Sequence, residues 1–345
     1  MKKNDWFVNY QTMNGLKGQR DLEFRKNFFD GEDFRDKTIL DIGCNMGQMC
    51  QYALSLGAKH VLGIDYDKNV IQKANVLNKS DKIQFVSDDI DNYFMYTQLE
   101  KKDTILLLSV IGTLELENRY GILAKLASKT KNVLYLEGHM TGFKKEDLMD
   151  MILKYTDFPT IEFKGIQYDN QSFLQKKLGR PFFRCSRDIL SRHDACHKIS
   201  DLLKNKHIIT VVGNGGVGKS YFKYQLIQYL NENSHFKFDP KFMAYTDNNN
   251  MVKNNYNIIT DKTNKLCILD DVVKTNKDLE MYDYVIYFDY RALEYLNKTD
   301  SIFYIKYNIN NRYKNRHGNY QLDHSPIIKK ELLKNIKNIY HIEKY

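Results

Sequence analysis

Apolar and polar positions along this chain fall into two alternating series. In the first, near-continuous apolar runs stand at 38–42, 60–65, 83–87, 104–110 and 132–137, separated by helix-spaced stretches at 47–56, 68–78 and 118–128. Short apolar runs joined by amphipathic helices predict parallel strands covered on both faces. Residues 143–156 read as a further helix, and 160–168 and 181–185 as two more strands. Ahead of the series, residues 1–36 are charged and aromatic, with Leu22, Phe24, Phe28 and Phe29 spaced for a short helix. The second series predicts strands at 208–212, 242–246, 266–270, 284–289, 302–308 and 338–342, and helices at 219–232, 291–297 and 326–336. Asp188–Lys204 reads as a linking helix, with Ile189, Leu190, Ile199, Leu202 and Leu203 apolar, so the boundary falls within Ser186–Asp201. The expected fold class is α/β, as two doubly wound domains over residues 1–187 and 188–345.

Composition narrows this picture. A chain of 345 residues with 42% hydrophobic content can bury two cores. No stretch approaches the roughly 20 apolar residues of a membrane span, and the N-terminus lacks a secretory apolar run. The five cysteines form no CxxC pair. The expectation is a reduced, cytoplasmic protein with neither membrane span nor structural zinc. Charge is uneven: residues 1–180 hold 26 Lys and Arg against 25 Asp and Glu, and residues 181–345 hold 26 against 18. The basic excess of the second half suits a polyanionic ligand; a general abundance of Lys and Asn would produce the same number.

Candidate chemistry begins at the end of the first strand, Leu40-Asp41-Ile42-Gly43-Cys44-Asn45-Met46-Gly47. Glycines at a strand-to-helix turn let backbone N–H groups approach a ligand where a Cβ would block it. The next strand ends Gly63-Ile64-Asp65, placing an acid where it can accept bonds from two ribose hydroxyls. Strand three ends Val86-Ser87-Asp88-Asp89, an acidic pair within reach of an adenine amino group. The Gly43/Gly47 spacing does not fit the GxGxxG of a dinucleotide dehydrogenase.

These residues resemble the class I S-adenosylmethionine-dependent methyltransferases over about residues 36–140. The resemblance implies a Rossmann-like domain in which Asp41, Gly43, Cys44, Asn45 and Gly47 form the cofactor turn, Asp65 holds the ribose, and Asp88 or Asp89 meets adenine. Asn45 stands where the family usually has a middle glycine, and Asn tolerates the left-handed region. Strand four ends Leu108-Ser109-Val110-Ile111-Gly112, without the Asn/Asp-Pro-Pro-Tyr run of many base N-methyltransferases, which argues against amine methylation of DNA. Strand five ends Leu136-Glu137-Gly138-His139, placing Glu137 and His139 as candidate catalytic groups, His139 as a general base for O-methyl transfer.

The second series opens on Val212-Gly213-Asn214-Gly215-Gly216-Val217-Gly218-Lys219-Ser220, a full GxxxxGK[ST] between an apolar strand and a helix. Its N–H groups would cradle the phosphates of ATP, Lys219 would neutralise them, and Ser220 would ligate Mg²⁺. Leu266-Cys267-Ile268-Leu269-Asp270-Asp271 ends a strand in two acids suited to organising the metal. The segment Asn311–Gly318, with Arg312 and Arg316, resembles the arginine-bearing lid of nucleotide-kinase-like P-loop enzymes, and Asp247 stands where such kinases keep an acceptor-activating acid.

The reading is a bifunctional enzyme, a Rossmann-like methyltransferase fused to a P-loop NTPase or kinase, using S-adenosylmethionine, ATP and Mg²⁺ on a small-molecule acceptor. Two alternatives stay open: a nucleic-acid end-modifying methyltransferase and polynucleotide kinase, and a methyltransferase governed by a nucleotide-switch ATPase.

Overall fold

The computed structural model of the chain describes residues 11–13, 18, 20, 22–90, 99–112, 118–139, 144–168, 179–202, 208–212, 219–233, 267–270, 284–287, 300–304 and 333–343. The chain separates into two compact units, Met1–Arg187 and Asp188–Tyr345. Among the described residues, no helix is long and apolar enough to cross a membrane.

The N-terminal unit is built on β1 (Thr38–Ile42), β2 (His60–Asp65), β3 (Ile83–Ser87), β4 (Lys102–Leu108), β5 (Thr130–Glu137), β6 (Thr160–Gln167) and β7 (Arg180–Ser186). Their order within this unit is β3-β2-β1-β4-β5-β7-β6. β1 to β5 are mutually parallel, and β7 runs antiparallel between β5 and β6. The central strands are buried on both faces, as their unbroken apolar character dictates: Ile39, Leu40, Ile105, Leu106 and Leu107 are all inaccessible to solvent. The order reverses between β1 and β4, the position at which open α/β sheets form a crevice beyond the carboxyl ends of their strands.

The helices are α1 (Leu22–Lys26), α2 (Gln48–Ser55), α3 (Lys68–Leu77), α4 (Arg119–Lys129) and α5 (Lys145–Tyr155). Their starts follow side-chain caps. Asp67 Oδ1 accepts from Asn69 N at 2.9 Å at the start of α3, and Asn118 Oδ1 accepts from Gly121 N at 3.2 Å at the start of α4. The short 3₁₀ turn Asn27–Phe29 that follows α1 drives Phe29 into the core against Tyr135, ring centroids 4.6 Å apart, while Phe28 stacks on Phe182 at 4.7 Å. Phe24, which the helical spacing grouped with these residues, is 51% exposed. β4 ends at Leu108, two residues earlier than its apolar run, because Ser109 turns to φ +65°.

In the C-terminal unit, α6 (Arg192–Leu202) and α7 (Lys219–Asn233) accompany β8 (Ile208–Val212), β9 (Cys267–Asp270), β10 (Tyr284–Tyr287), β11 (Ser301–Tyr304) and β12 (Asn338–His341). β8 lies between β9 and β10 with all three parallel, and β11 pairs with β12 in parallel. α7 buries Phe222, Leu226 and Leu230, a stripe at i, i+4, i+8. Leu190 joins the end of β12 through Leu190 N to His341 O at 2.7 Å and Glu343 N to Leu190 O at 2.8 Å. The strand expected at 242–246 and the helix expected at 291–297 lie outside the described residues.

Candidate functional site

The loop from β1 to α2 takes its shape from three departures into the left-handed region, at alternate positions. Gly43 has φ +70°, Asn45 φ +51° and Gly47 φ +84°. A Cβ on Gly43 would stand 2.5 Å from Val110 Cγ2, and one on Gly47 would stand 2.5 Å from Phe85 Cζ. Both glycines are therefore required by space as well as by backbone angle. Gly43 N and Cys44 N both donate to Ile64 O, at 2.8 and 3.1 Å, which holds the turn against the end of β2.

Asp65 ends β2 and completes the turn. Its Oδ2 accepts from Asn45 N at 2.9 Å and its Oδ1 from Asp67 N at 3.1 Å. Burial pushes its proton affinity up, and these backbone donors oppose the shift. Asp88 N donates to Asp65 O at 3.0 Å, so the end of β3 is tied to the same point; Asp88 is half-buried and Asp89 exposed. Asn45 Oδ1 is buried within the turn with no hydrogen-bond partner.

Beneath the turn, Asp41 is 2% exposed and accepts from Cys50 Sγ at 3.2 Å. Burial raises its pKa to about 7, with the Cys50 thiol and the charge of Arg25 acting in the opposite sense. Burial likewise pushes the Cys44 thiol up to about 11. Asp41 thus packs under the turn and ties to α2 through Cys50, while Asp65 bonds the turn's own backbone at Asn45.

An N-terminal strap closes the turn from the side of α2. Gln11 Oε1 accepts from Gln48 N, the first amide of the helix, at 3.2 Å, and Gln11 Nε2 donates to Cys44 O at 3.2 Å. Gln48 Nε2 returns bonds to Thr12 O at 2.6 Å and Arg20 O at 3.3 Å. One of the helix's orphan N-terminal donors is thereby satisfied.

Across the switch between β1 and β4, a charge cluster occupies the ends of β4 and β5. Glu137 is fully buried; its Oε2 accepts from Arg25 Nε at 3.0 Å and its Oε1 from Ser109 Oγ at 2.5 Å. Arg180 Nη1 and Arg20 Nη1 approach Oε1 at 3.5 and 3.7 Å. Ser109 Oγ accepts from Arg180 Nη1 at 2.7 Å and Arg25 Nη2 at 3.1 Å, and Arg20 Nη1 donates to Gln167 Oε1 at 2.7 Å. None of the three arginines is more than 4% exposed. His139, two residues further on, is half-buried. The strand-end motif placed Glu137 at the mouth as a catalytic group; the structure engages both of its oxygens with Arg25 and Ser109. Arg20, Arg25, Ser109 and Arg180 were not singled out as site residues by the sequence; Arg180 opens β7 one residue before the expected strand.

In the C-terminal unit, Lys219 and Ser220 open α7, directly after the glycine-rich segment. Val211 pairs with Asp270, so the end of β9 lies at the same sheet edge as the end of β8. Gly213, Asn214, Gly215, Gly216, Val217, Gly218, Asp247, Asp271, Arg312 and Arg316 lie outside the described residues.

Residues 39–133, from β1 into β5, match the family model described as a methyltransferase domain. The N-terminal unit carries a methyltransferase domain. The chain is 37% identical over 85 residues to the ribosomal protein L11 methyltransferase of Colwellia psychrerythraea, covering 25% of this chain and 28% of that protein. It is 33% identical over 92 residues to protein arginine N-methyltransferase 1 of Saccharomyces cerevisiae, covering 25% of this chain and 26% of that one. The chain therefore spans about a quarter of the length of these relatives. Among solved structures, the bifunctional kinase-methyltransferase WbdD is similar at 18% identity and a TM-score of 0.41, over 53% of this chain and 44% of that one.

Proposed function

We propose that the chain is a bifunctional enzyme: the methyltransferase domain transfers a methyl group from S-adenosylmethionine, and the C-terminal unit transfers a phosphoryl group from Mg²⁺-ATP, on a small-molecule acceptor. The observation that carries the first half is the turn from Gly43 to Gly47, held in the left-handed region at Gly43, Asn45 and Gly47 and closed by the Asp65 carboxylate. Those residues fit S-adenosylmethionine. The Asp65 carboxylate stands at the turn as the acceptor for ribose hydroxyls, and Asn45 Oδ1 is a buried acceptor suited to an ammonium donor. When bound, the cofactor supplies an electrophilic methyl group on a sulfonium. Asp88 and Asp89 are offered for adenine. His139, half-buried past β5, is the candidate group for moving an acceptor proton.

Support for the second half comes from order along the chain. A parallel strand, a glycine-rich segment and a helix opening on Lys219-Ser220 are the context in which GxxxxGK[ST] binds phosphates. The β8–β9 register adds Asp270 at the same edge, where an acid would organise Mg²⁺.

Calorimetric binding of S-adenosylmethionine and of Mg²⁺-ATP to the wild type, Asp65→Ala and Lys219→Ala tests both halves. Each variant is expected to lose one ligand and keep the other. Wild type that binds ATP but not S-adenosylmethionine would overturn the methyl-transfer half; the converse would overturn the kinase half.

A further inference from the structure

Gln11, Thr12 and Met13 lie against the glycine turn, and Gln11 pairs with Arg20 in an isolated parallel bridge. An extended segment places alternate side chains on one face. Gln11 and Met13 are accordingly buried, at 3% and 5% exposure, while Thr12 between them is half-buried. Gln11 bonds Cys44 O and Gln48 N, the two ends of the turn. Met13 shares a small buried cluster with Met46, at the turn's centre, and with Val70. One polar and one apolar side chain from the same face thus engage the same five residues.

The turn's backbone needs such a grip. Asn45 carries a Cβ at φ +51°, a conformation that persists where the surroundings over-determine it. Inside the turn, Gly47 N donates to Cys44 O at 3.0 Å; the other ties come from outside it. Ile64 and Asp65 hold its first half, and Asn78 Nδ2 donates to Met46 O at 3.1 Å. Gln48 N, as the first amide of α2, has no acceptor within the helix, and Gln11 Oε1 supplies one. Among the described residues, Gln11 is the side chain that joins the turn's two ends. The grip is returned, because Gln48 Nε2 donates to Thr12 O and Arg20 O. Thr12 in turn closes the strap on itself: its N donates to Arg20 O at 2.7 Å, and its Oγ1 accepts from Gly18 N at 3.0 Å.

We propose that Gln11 is a positioning residue for the methyl donor: it holds the turn in the shape that S-adenosylmethionine binds, so that docking of the strap and binding of the cofactor are coupled. The assignment rests on the methyl-transfer reading of the N-terminal unit and deepens it by naming what regulates the cofactor site. A turn that is already shaped spares the cofactor the cost of ordering it. The coupling runs both ways, so a ligand that needs this shape also tightens the strap.

The test is calorimetric titration of S-adenosylhomocysteine into the full chain and its Gln11→Leu variant, together with amide exchange of the wild type with and without that ligand. Gln11→Leu removes both bonds and keeps an apolar body of similar size. It should weaken binding by about tenfold at a temperature where circular dichroism shows both proteins folded. Gln11→Glu keeps an acceptor for Gln48 N and should recover part of that loss. In the wild type, saturating S-adenosylhomocysteine should slow exchange at the Thr12 and Gly18 amides by about tenfold. A residue that only stabilised the fold would move neither quantity. Affinity of folded Gln11→Leu within about twofold of wild type, or unchanged exchange at both amides, therefore overturns the assignment. If Gln11→Leu does not fold, the exchange measurement on the wild type decides alone. Failure of S-adenosylhomocysteine to bind the wild type would instead overturn the methyl-transfer reading.

Discussion

The glycine turn and the arginine cluster share one sheet edge, yet they are held by opposite means. The turn is the more local: residues 41–48 set their own backbone angles, and the named hydrogen bonds that tie it to Gln11, Ile64, Asp65 and Asn78 span no more than 37 positions. The cluster is remote: Arg20 bonds Gln167 across 147 positions, and Arg25 bonds Glu137 across 112. The turn therefore depends on which residues tolerate positive φ. The cluster depends on charges that are tolerable inside only together.

That contrast can be broken most directly at Glu137. Glu137→Gln leaves buried guanidiniums facing an uncharged group, and should cost about 3–5 kcal/mol in urea unfolding. A Glu137→Gln/Arg25→Gln double variant should lose less than the sum of its single changes. A cost for Glu137→Gln below about 1 kcal/mol would show that the arginines are held by something other than this carboxylate.

Asp41 is the turn's own buried charge, and it makes the turn sensitive to pH. Its folded pKa of about 7 lies above the ordinary 3.8, so the folded state binds a proton that the unfolded chain has released. The stabilising contribution is fully present below about pH 4 and is lost as pH rises to about 7, at no more than about 1.4 kcal/mol per pH unit. Asp41→Asn should flatten this slope and exceed wild type in stability at pH 8. Some slope should survive, because Asp65 is shifted in the same direction. An unchanged slope in unfolding curves from pH 4 to 8 would remove Asp41 from the account.

Gly47→Ala tests the backbone side of the comparison. The strain at φ +84° and the contact with Phe85 should together cost about 1–3 kcal/mol and weaken S-adenosylmethionine binding. Adding Phe85→Leu should recover the steric part and leave the part due to φ, as measured by thermal unfolding and calorimetry. The smallest effect is expected at the strap: Gln11→Ala removes the acceptor for Gln48 N and should cost about 1 kcal/mol. Faster amide exchange at residues 44–48 would report it.

The same contrast explains what could be read from the sequence. Asp41, Gly43, Asn45 and Gly47 stand in one stretch, and Asp65 ends the next strand, so their arrangement follows from the strand pattern. The sheet edge shared by the β1, β2 and β3 ends needs only parallel alternation to be anticipated. Arg20 and Arg25, by contrast, lie in a charged segment where nothing separates a buried guanidinium from a solvated one. Glu137 was visible as an acid at a strand end, but its partners come from residues 20 to 180, and burial depends on the completed fold. Ser109 reads as the continuation of an apolar strand, because a positive φ at a serine has no signature in composition. Phe24 carries the opposite lesson: helical spacing places a residue on a face without saying whether anything covers it.

The antiparallel strand β7 has a consequence for how the N-terminal unit comes together. It is the last of the seven described strands of this unit to be synthesised, yet it sits inside the sheet, and among them β6 pairs only with it. Until residue 180 and its successors arrive, β5 is an open border and β6 has no neighbour to align with. A nascent chain that stops short of β7 therefore forfeits two strands of the sheet, and with Arg180 still missing it cannot complete the buried charge cluster either. The assembly of this half is gated by its final seven-residue strand, which places a long loop-closure step late in folding.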